Sequence, residues 1–354
     1  MTALHFVELQ GDSRQRGEQH GHLLRKPIER AIGFYFPFFT RHLGLDRNEV
    51  RRRAATFIEP TSRLSAALMA EYEGIAAGSG QTLEDIFVLS ARYEITFEEF
   101  ALGECSNVYV GPASSATGHT LLGQNWDWRP EVMEFRAVFV ARADDGPDHV
   151  MITECGQPGK YGLNQFGLGL VGAGLNCTEK TGLGDQLFVA LGRAALEHEK
   201  LSGAVERLGR FAPRSTVNVL VAEAERMGVD FEYAPRTVGR RDLAPDEVYW
   251  HTNHCREVDE PCTFENSRQR GRRWAVLADV PGPIEPSTVK AWLADRQSSG
   301  DSICQLHDPH QADSPSRIQT LSSVVLDLGS RTLWASDGPS CQSSYRPFVL
   351  AGTK

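Results

Sequence analysis

The chain changes its sequence pattern near residue 100, and this change limits the folds that it can adopt. Before that point, apolar residues recur three and four positions apart, the spacing of one helix face. Residues 12–36 form one such segment, in which Pro27 should kink or divide the helix and Pro37 should end it. A second helix is predicted over 62–77 and a third from Thr82, where T-L-E-D resembles a capping box. The first part of the chain is therefore predicted to be helical.

After residue 105 the pattern becomes that of strands separated by turns. Short segments rich in β-branched and aromatic residues are bounded by glycine, proline or aspartate. These segments are SNVYVG, HTLLGQNWDW, RAVFVARA, HVMITE, GLGLVGAGL, TVNVLVAEA, VDFEYA, VYWHTN and a final hairpin of SSVVLDL and RTLWASDG. Helices are predicted between the two strand blocks over 185–199 and 201–210, and before the last hairpin near 266–279 and 286–296.

Two strand blocks around central helices predict an α+β fold. We expect a four-layer αββα sandwich of two stacked, mainly antiparallel sheets. Residues 1–104 should form a helical leader packed on this core, which comprises residues 105–354. With 354 residues and 41% apolar side chains, the chain can bury a large core.

Charge and cysteine content exclude several classes of protein. The net charge of -9 argues against a nucleic-acid partner, which needs clustered cations. No apolar run approaches the roughly 20 residues that cross a bilayer, so no membrane association is expected. The first residues lack the features of a signal peptide, and the seven cysteines are odd in number and scattered. Reduced thiols and a cytoplasmic location are therefore expected.

Cys105 stands where the helical part ends and the first strand begins. A thiol is a useful nucleophile only when a base or a cationic setting favours the thiolate. Cleavage just before Cys105 would free an α-amine with a pKa of about 7.7–8.0 beside a thiol with a pKa of about 8.5. The alternative is a small apolar residue at the start of a strand.

Two polar residues at strand ends could complete a site around Cys105. Asp127, in the segment NWDW, could reach the Cys105 amine or backbone if both residues lie on one hairpin, and would orient the base. Asn253, in HTNH, could donate its side-chain amide to a developing oxyanion. Either residue could instead be a strand-end group that bonds within a turn.

Three further patterns suggest other chemistry. Gly167–Gly172 satisfies G-x-G-x-x-G, but later glycines break the helix that a dinucleotide fold needs, so a strand that another backbone or a substrate approaches closely is favoured. Arg317, in SPSR, could bind a substrate anion or be a surface charge. One group of side chains has spacings that suggest zinc, namely His251, His254, Cys255 and Cys262, with His307 and His310.

Five segments, taken together and in order, resemble one known family. They are ECSNVYV, LLGQNWDW, GLNQFGLGLVGAGLN, HTNH and SPSR, the last shortly before the final hairpin. The chain resembles the penicillin acyltransferase-like family of N-terminal nucleophile (Ntn) hydrolases, also called the acyl-coenzyme A:6-aminopenicillanic acid acyltransferase family. The resemblance spans nearly the whole chain, and QNWD and GLNxxGL are its most specific pieces. Choloylglycine hydrolases share a more distant version of the same order.

This resemblance implies the αββα fold and a precursor that cleaves itself. Cys105 matches the cysteine that becomes the new N-terminus, and its thiol would attack the Glu104 carbonyl. Residues 1–104 would then become a separate α chain, associated with the β chain that begins at Cys105. Asp127 matches the acid beside that cysteine, and Asn253 resembles the asparagine that lines the oxyanion hole.

Two more matches come from the bile-salt relatives. Asn176, in AGLN, resembles the position whose backbone amide completes the oxyanion hole, and Arg317 resembles an active-site arginine. The fungal acyltransferase has glycine before its cysteine, where this chain has Glu104. A β-carbon and a charge at the scissile bond could slow self-cleavage.

The sequence therefore predicts a cysteine amidohydrolase that cleaves a small-molecule amide through a Cys105 thioester. Transfer of the acyl group to an amine acceptor is an alternative, because either water or an amine can attack a thioester. A zinc-binding protein and a non-catalytic ligand-binding protein are alternatives of another class. The amidohydrolase requires no cofactor and no metal, and assembly of identical chains is left open.

Overall fold

The computed structural model describes residues 4–97, 105–179, 181–261, 265–296, 302–307 and 317–350. Its strands are β1 (His5–Gly11), β2 (Ser106–Val110), β3 (Leu121–Trp128), β4 (Arg136–Ala143), β5 (His149–Glu154), β6 (Tyr161–Asn164), β7 (Leu168–Gly174), β8 (Val217–Glu223), β9 (Gly228–Tyr233), β10 (Val238–Leu243), β11 (Val248–His251), β12 (Gln319–Asp327), β13 (Thr332–Ser336) and β14 (Tyr345–Val349). Its helices are α1 (Ser13–Leu23), α2 (Arg25–Leu43), α3 (Arg47–Ala55), α4 (Ile58–Leu64), α5 (Ala66–Ser79), α6 (Leu83–Ser90), α7 (Arg92–Phe97), α8 (Phe188–Ala195), α9 (Leu201–Arg210), α10 (Glu265–Ala278) and α11 (Pro286–Leu293). A 3-10 helix, Pro130–Phe135, joins β3 to β4.

Two sheets packed face to face form the centre of the molecule. One has eight strands in the order β1-β4-β5-β6-β7-β8-β9-β10, and the other has six in the order β11-β2-β3-β12-β13-β14. Strands β2 and β3 pack against β7 across the interface, α1 and α9 contact the larger sheet, and α10 and α11 contact the smaller one. This arrangement confirms the predicted α+β fold, a four-layer αββα sandwich of mainly antiparallel sheets.

Polar side chains join the two sheets at their interface. The Gln124 side chain on β3 donates to the Gly172 carbonyl at 2.6 Å and accepts from the Gly172 N–H at 3.2 Å. A Cβ at Gly172 would lie 2.7 Å from the Asn218 carbonyl oxygen, which explains a glycine there. The glycine-rich segment is therefore a buried strand, β7, that another backbone approaches closely, as the sequence favoured.

Of the two prolines of α2, Pro27 acts as predicted and Pro37 does not. Pro27 lies in the first turn of α2, where a missing N–H costs little, and so marks the division that was predicted. Pro37 does not end the helix, which continues to a left-handed Gly44. That prediction is wrong, because buried Phe36 and Phe39 pack on either side of the proline and hold the helix in place. No helix among the described residues is both long and apolar enough to cross a membrane.

Other predicted elements agree with the structure. The Thr82 hydroxyl accepts from the backbone N–H of Asp85 at 3.2 Å, which confirms the start of α6. Helix α9 has the predicted bounds. Helix α8 begins only at Phe188, after Gly182 and Gly184, and is shorter than predicted. The final hairpin is present as β12 and β13.

The leader contains one strand besides its seven described helices. Its strand β1 pairs in parallel with β4, from His5 opposite Ala137 to Gly11 opposite Ala143. This edge strand is only partly buried, so its sequence has no continuous apolar run. The segment HFVELQG is also short and mixes apolar with polar residues, and it therefore does not predict a strand by itself. The leader therefore contributes hydrogen bonds to the core sheet as well as helices around it.

Helices α1 and α5 of the leader cross at very short distance through glycines. A Cβ on Gly17 would lie 2.2 Å from the backbone oxygen of Glu71 and 2.9 Å from the Cα of Gly74. Only glycine, which has no Cβ, allows two backbones to come this close. The GDSRQRGEQHG segment is therefore constrained by packing of the leader rather than by chemistry.

This crossing predicts opposite effects of two glycine-to-alanine changes. Gly17→Ala should lower the free energy of unfolding by about 1–3 kcal/mol, because the new methyl group overpacks a backbone contact. Gly33→Ala is the matched control, since Gly33 is exposed in α2 and nothing lies within 4 Å of its added Cβ. It should stabilise the chain by roughly 0.5–1 kcal/mol. Urea denaturation measures both, and equal effects of the two changes would contradict the packing argument.

Candidate active site

Cys105 directly precedes β2, and the pairing of β2 with β3 fixes its surroundings. Ser106 lies opposite Asn125, so Cys105 lies beside the next two residues of β3, Trp126 and Asp127. The Cys105 thiol donates to the backbone carbonyl of Asp127 over 3.8 Å. One hairpin therefore brings Cys105 and Asp127 together, with the contact made by the Asp127 backbone carbonyl.

The Cys105 side chain lines a narrow cavity of about 20 Å³, which we call the Cys105 cavity. A volume of this size has room for about one water molecule. Both the leader and the core contribute to its walls. The lining residues are Ser90, Arg92, Tyr93, Cys105, Trp126, Asp127, Trp128, Lys160, Tyr161, Gly174, Phe188 and Val189.

Burial keeps the thiol protonated. Burial and, to a smaller extent, the Asp127 carboxylate raise the pKa of Cys105 to about 11, against the opposing charges of Lys160 and Arg270. A thiol with this pKa is almost entirely in its unreactive form at neutral pH. In the intact chain, attack by sulfur therefore requires a base.

Asn253 lies just after β11, and its side chain is oriented toward the Cys105 cavity. Its Nδ2 donates to the carbonyl of Gly174, a cavity residue, at 2.8 Å. Its backbone N–H donates to the Ser267 hydroxyl at 2.8 Å. Because β11 pairs with β2, with His251 opposite Asn107, the loop that follows β11 and carries Asn253 lies beside Cys105, which directly precedes β2.

Arg270 on α10 holds Cys105 and Asn253 together. Its fully buried guanidinium donates to the Cys105 carbonyl at 2.9 Å and to the Ser106 hydroxyl at 3.1 Å. It also donates to the Asn253 side-chain oxygen at 2.7 Å, which directs the Asn253 NH₂ group toward Gly174. Five N–H donors in a fixed plane suit this bridging role.

Sequence analysis missed Arg270, which is one of several arginines in ENSRQRGRRWAVLA. One pattern could have identified it. Ser267, Arg270, Gly271 and Trp274 recur at helical spacing, and they are the buried face of α10. An arginine in phase with a buried tryptophan is a candidate for a buried partner.

Asn176 and Arg317 do not have the predicted surroundings. The Asn176 N–H donates to the Asn253 carbonyl at 2.8 Å, so it positions Asn253 and is not directed at an oxyanion. Arg317 forms an ion pair with Glu131 in the 3-10 helix after β3. Within the described part of the chain, Arg317 is not among the residues that line the Cys105 cavity. A carboxylate within reach accounts for its position.

Glu104 lies outside the described residues, so cleavage at Glu104–Cys105 stays a prediction. On the other side of that bond, the backbone is fixed. The Cys105 carbonyl accepts from Arg270, and Ser106 begins the pairing of β2.

The histidines of the zinc hypothesis have protein partners. His251 bonds through Nε2 to Glu232 at 2.7 Å and through Nδ1 to the Thr252 carbonyl at 2.6 Å. Burial lowers the pKa of His251, but the hydrogen bond to Glu232 and the charges of Asp230 and Glu232 outweigh burial, and the net shift is upward. A charged His251 donates from both nitrogens, which makes this pair an anchor for the loop that carries Asn253.

The remaining zinc candidates do not converge with His251. His254 bonds to the Ser267 hydroxyl at 2.8 Å, and Cys255 lies 3.6 Å from Cys177, sulfur to sulfur. Cys262 and His310 lie outside the described residues. Among the described residues, His251 groups instead with Asp230 and Glu232, whose oxygens accept hydrogen bonds from protein donors. This cluster is a hydrogen-bonded network that joins β9 to β11.

A wider groove of about 420 Å³ lies on the other side of α7. Glu94 lines it, and the Glu94 carboxyl accepts from the N–H of Phe188, which lines the Cys105 cavity. Its cations include Arg52 and Arg53, both of which bond to Glu49. The groove is lined by no cysteine and no serine among the described residues, so the Cys105 cavity is the better candidate for nucleophilic chemistry.

Comparison with known proteins identifies the family. The model of the acyl-coenzyme A:6-aminopenicillanic acid acyl-transferase family matches residues 115–338, more than half of the chain. The chain belongs to this family. As a member of the acyltransferase family it is an enzyme, which confirms the resemblance and favours neither a zinc-binding nor a non-catalytic protein.

Individual relatives are distant. The 40 kDa form of acyl-coenzyme A:6-aminopenicillanic-acid-acyltransferase from Emericella nidulans is 26% identical over 338 residues, which are 91% of this chain and 89% of that protein. Penicillin V acylase from Agrobacterium tumefaciens is 13% identical with a TM-score of 0.44, covering 70% of this chain and 86% of its own. The Caenorhabditis elegans N-acylethanolamine-hydrolyzing acid amidase ortholog is 13% identical with a TM-score of 0.45, covering 70% and 100%.

The contacts of Arg270 predict a loss of turnover without loss of fold. Arg270→Met should lower kcat for a chromogenic N-acyl anilide by about 10²–10³-fold, because Asn253 loses the bond that orients its amide. Arg272→Met is the matched control, since Arg272 lies on the same helix, 66% exposed and paired with Glu265. It should change kcat less than twofold. Thermal unfolding checks that both variants fold, and a folded Arg270→Met enzyme with full kcat would refute the positioning role.

Proposed function

We propose that the chain is a self-processing cysteine amidohydrolase of the Ntn type. The observation that supports it is that Cys105 and Asp127 line one buried cavity, while Asn253 contacts the cavity residue Gly174 and is joined to Cys105 through Arg270. This grouping supplies a nucleophile, an orienting acid and an oxyanion donor, the parts that acyl transfer needs.

Self-cleavage is the first proposed step. The Cys105 sulfur attacks the Glu104 carbonyl carbon while the thiol gives up its proton. The bond between that carbon and the Cys105 nitrogen breaks, the nitrogen takes a proton, and a Glu104 thioester forms on Cys105. Water then hydrolyses the thioester, which leaves a carboxylate on Glu104, a free Cys105 thiol and a free α-amine.

Substrate turnover repeats this chemistry on a small-molecule amide. The α-amine of Cys105 takes the thiol proton, and its ordinary pKa of about 7.7–8.0 suits that role near neutral pH. The sulfur attacks the amide carbonyl, Asn253 donates from Nδ2 to the oxyanion, and Asp127 orients the α-amine. The protonated amine then gives its proton to the departing amine, and water releases the acid from the acyl-enzyme.

Hydrolysis is the proposed outcome, with transfer to an amine acceptor as the second candidate. Water is present at high concentration, whereas an acceptor must be bound, and we assign no acceptor site to the described residues. The proposed α and β chains stay associated, and Arg193 of α8, 3.0 Å from Glu71 of α5, is one buried ion pair that would join them. We further propose a cytoplasmic location, since the reaction needs a reduced thiol.

The proposal predicts a specific defect for Cys105→Ala. Wild-type protein should give two fragments in intact-mass spectrometry, one ending at Glu104 and one starting at Cys105. Cys105→Ala should remain a single 39.2 kDa chain with no amidase turnover, because no sulfur can form the thioester. Cys155→Ala is the matched control, a second fully buried thiol that does not line the Cys105 cavity, and it should be cleaved normally.

Two results would contradict this proposal. One is amidase turnover by Cys105→Ala equal to that of the wild type. The other is active wild-type enzyme in which the α-amine of Cys105 is still acylated.

Hydrolysis and transfer can be distinguished by partition of the acyl-enzyme. An N-acyl anilide is turned over with and without added hydroxylamine, and the free acid and the hydroxamate are quantified. For a hydrolase, we expect free acid to remain the main product while total anilide consumption is unchanged. Hydroxamate as the main product at low hydroxylamine concentration would favour the acyltransferase.

A further inference from the structure

The Cys105 cavity contains a buried amine that the proposed turnover does not use. Lys160 lies in the turn before β6, and its side chain forms part of the cavity wall. It is 6% exposed, and lysines are almost never buried without a specific role. Its Nζ lies 4.0 Å from the centre of the Trp126 ring and 4.9 Å from that of Tyr161. These rings hold the amine at the cavity.

The charges around Lys160 are largely engaged with each other. Glu154 accepts from Arg92 through one oxygen and from Tyr35 through the other, the latter at 2.7 Å. The Arg92 guanidinium also lies 4.5 Å from the centre of the Trp128 ring. Burial and the positive charge of Arg92 lower the pKa of Lys160 well below its ordinary value of 10.5. The titratable groups that face it are Arg92, Tyr93, Glu94, Cys105, Asp127, Glu154 and Tyr161.

The intact chain lacks the base that the mature enzyme would use. Before cleavage, the nitrogen of Cys105 is a peptide amide, which cannot accept a proton from a thiol. The thiol nevertheless has a pKa of about 11 and must be deprotonated. A carboxylate such as Asp127 is a weak base, with an ordinary pKa of about 3.9, whereas the lowered pKa of Lys160 lets its amine lose its charge, and so become able to accept a proton, at a lower pH than an ordinary lysine. An amine is therefore the better match for this proton.

We propose that Lys160 is the general base of self-cleavage, taking the Cys105 proton through the one water molecule for which the cavity has room. This inference rests on the proposed function, because it explains how the proposed cleavage begins. Transfer through a single water is an accepted geometry for a general base. Lys160 and Cys105 line the same narrow cavity, whose volume is that of about one water molecule.

The proposed proton transfers balance over one cycle. Neutral Lys160 receives the thiol proton as sulfur attacks the Glu104 carbonyl carbon. The resulting ammonium returns that proton to the Cys105 nitrogen as the carbon–nitrogen bond breaks. Lys160 is neutral again, a thioester has formed, and the new α-amine can serve as the base for substrate.

The test follows cleavage of the full-length chain with time. Chains are made by cell-free translation, transferred to buffers from pH 6 to pH 9.5, and sampled for intact mass. The wild-type rate should rise with pH as the Lys160 ammonium loses its proton. Lys160→Met should be slower by about 10²–10⁴-fold, the usual contribution of a general base, and its remaining rate should rise with pH only as the Cys105 thiol itself ionises.

Two further variants separate a base from a structural lysine. Lys160→Arg keeps a cation on the Trp126 ring but cannot accept a proton, so it should fold and still be cleaved slowly. Lys290→Met is the matched control, because Lys290 lies 4.2 Å from the centre of the Trp334 ring and does not line the Cys105 cavity. It should be cleaved at the wild-type rate. Added methylamine should restore cleavage to Lys160→Ala by supplying an amine.

The outcomes distinguish this inference from the proposed function. Cleavage of Lys160→Met or Lys160→Arg at the wild-type rate overturns the role of Lys160 and leaves the proposed function standing. A wild-type chain that stays as uncut as Cys105→Ala overturns self-cleavage and the Lys160 inference together. Slow cleavage of both variants, together with faster cleavage of Lys160→Ala when methylamine is added, supports Lys160 as the general base.

Discussion

The pairing of β2 with β3 inside the six-stranded sheet is the constraint on which the site depends. It places Cys105 beside Asp127, because Ser106 lies opposite Asn125. The other edge of β2 pairs with β11, which leads into the loop of Asn253. A shift of this register by one residue would turn every side chain of β2 to the opposite face of the sheet. The chemistry and the fold therefore depend on the same hydrogen bonds.

Buried polar groups make this arrangement specific. Arg270 is fully buried, yet its guanidinium bonds to Cys105, Ser106, Asn253 and Asn266. A buried cation is costly when its partners are missing and tolerated when all are present. The same reasoning applies to Gln124, which bonds to both backbone groups of Gly172 across the two sheets. These hydrogen bonds can all form in only one relative position of the two sheets. Apolar contacts alone would fix that position less specifically.

Much of the fold and part of the site could be predicted from sequence. Strand β2, which Cys105 directly precedes, and strand β3, which contains Asp127, have a local composition and turn signals that can be recognised without tertiary information. Arg270 was missed although its helical spacing from Trp274 offered a signal, whereas Lys160 could not be predicted, because GQPGKYG resembles an exposed turn until packing buries the lysine. Strand β1 was missed because its partner, β4, is more than a hundred residues away. Arg317 was placed by resemblance, whereas in the folded chain Glu131 attracts it.

The parallel pairing of β1 with β4 has a consequence for the two chains that cleavage would produce. A fragment that supplies a strand to its partner's sheet shares one hydrophobic interior with it. Breaking a single peptide bond would then remove no tertiary contact, and heat should unfold both pieces in one cooperative transition. The intact peptide chain would matter for folding, whereas the stability of the cleaved protein would depend on the shared sheet.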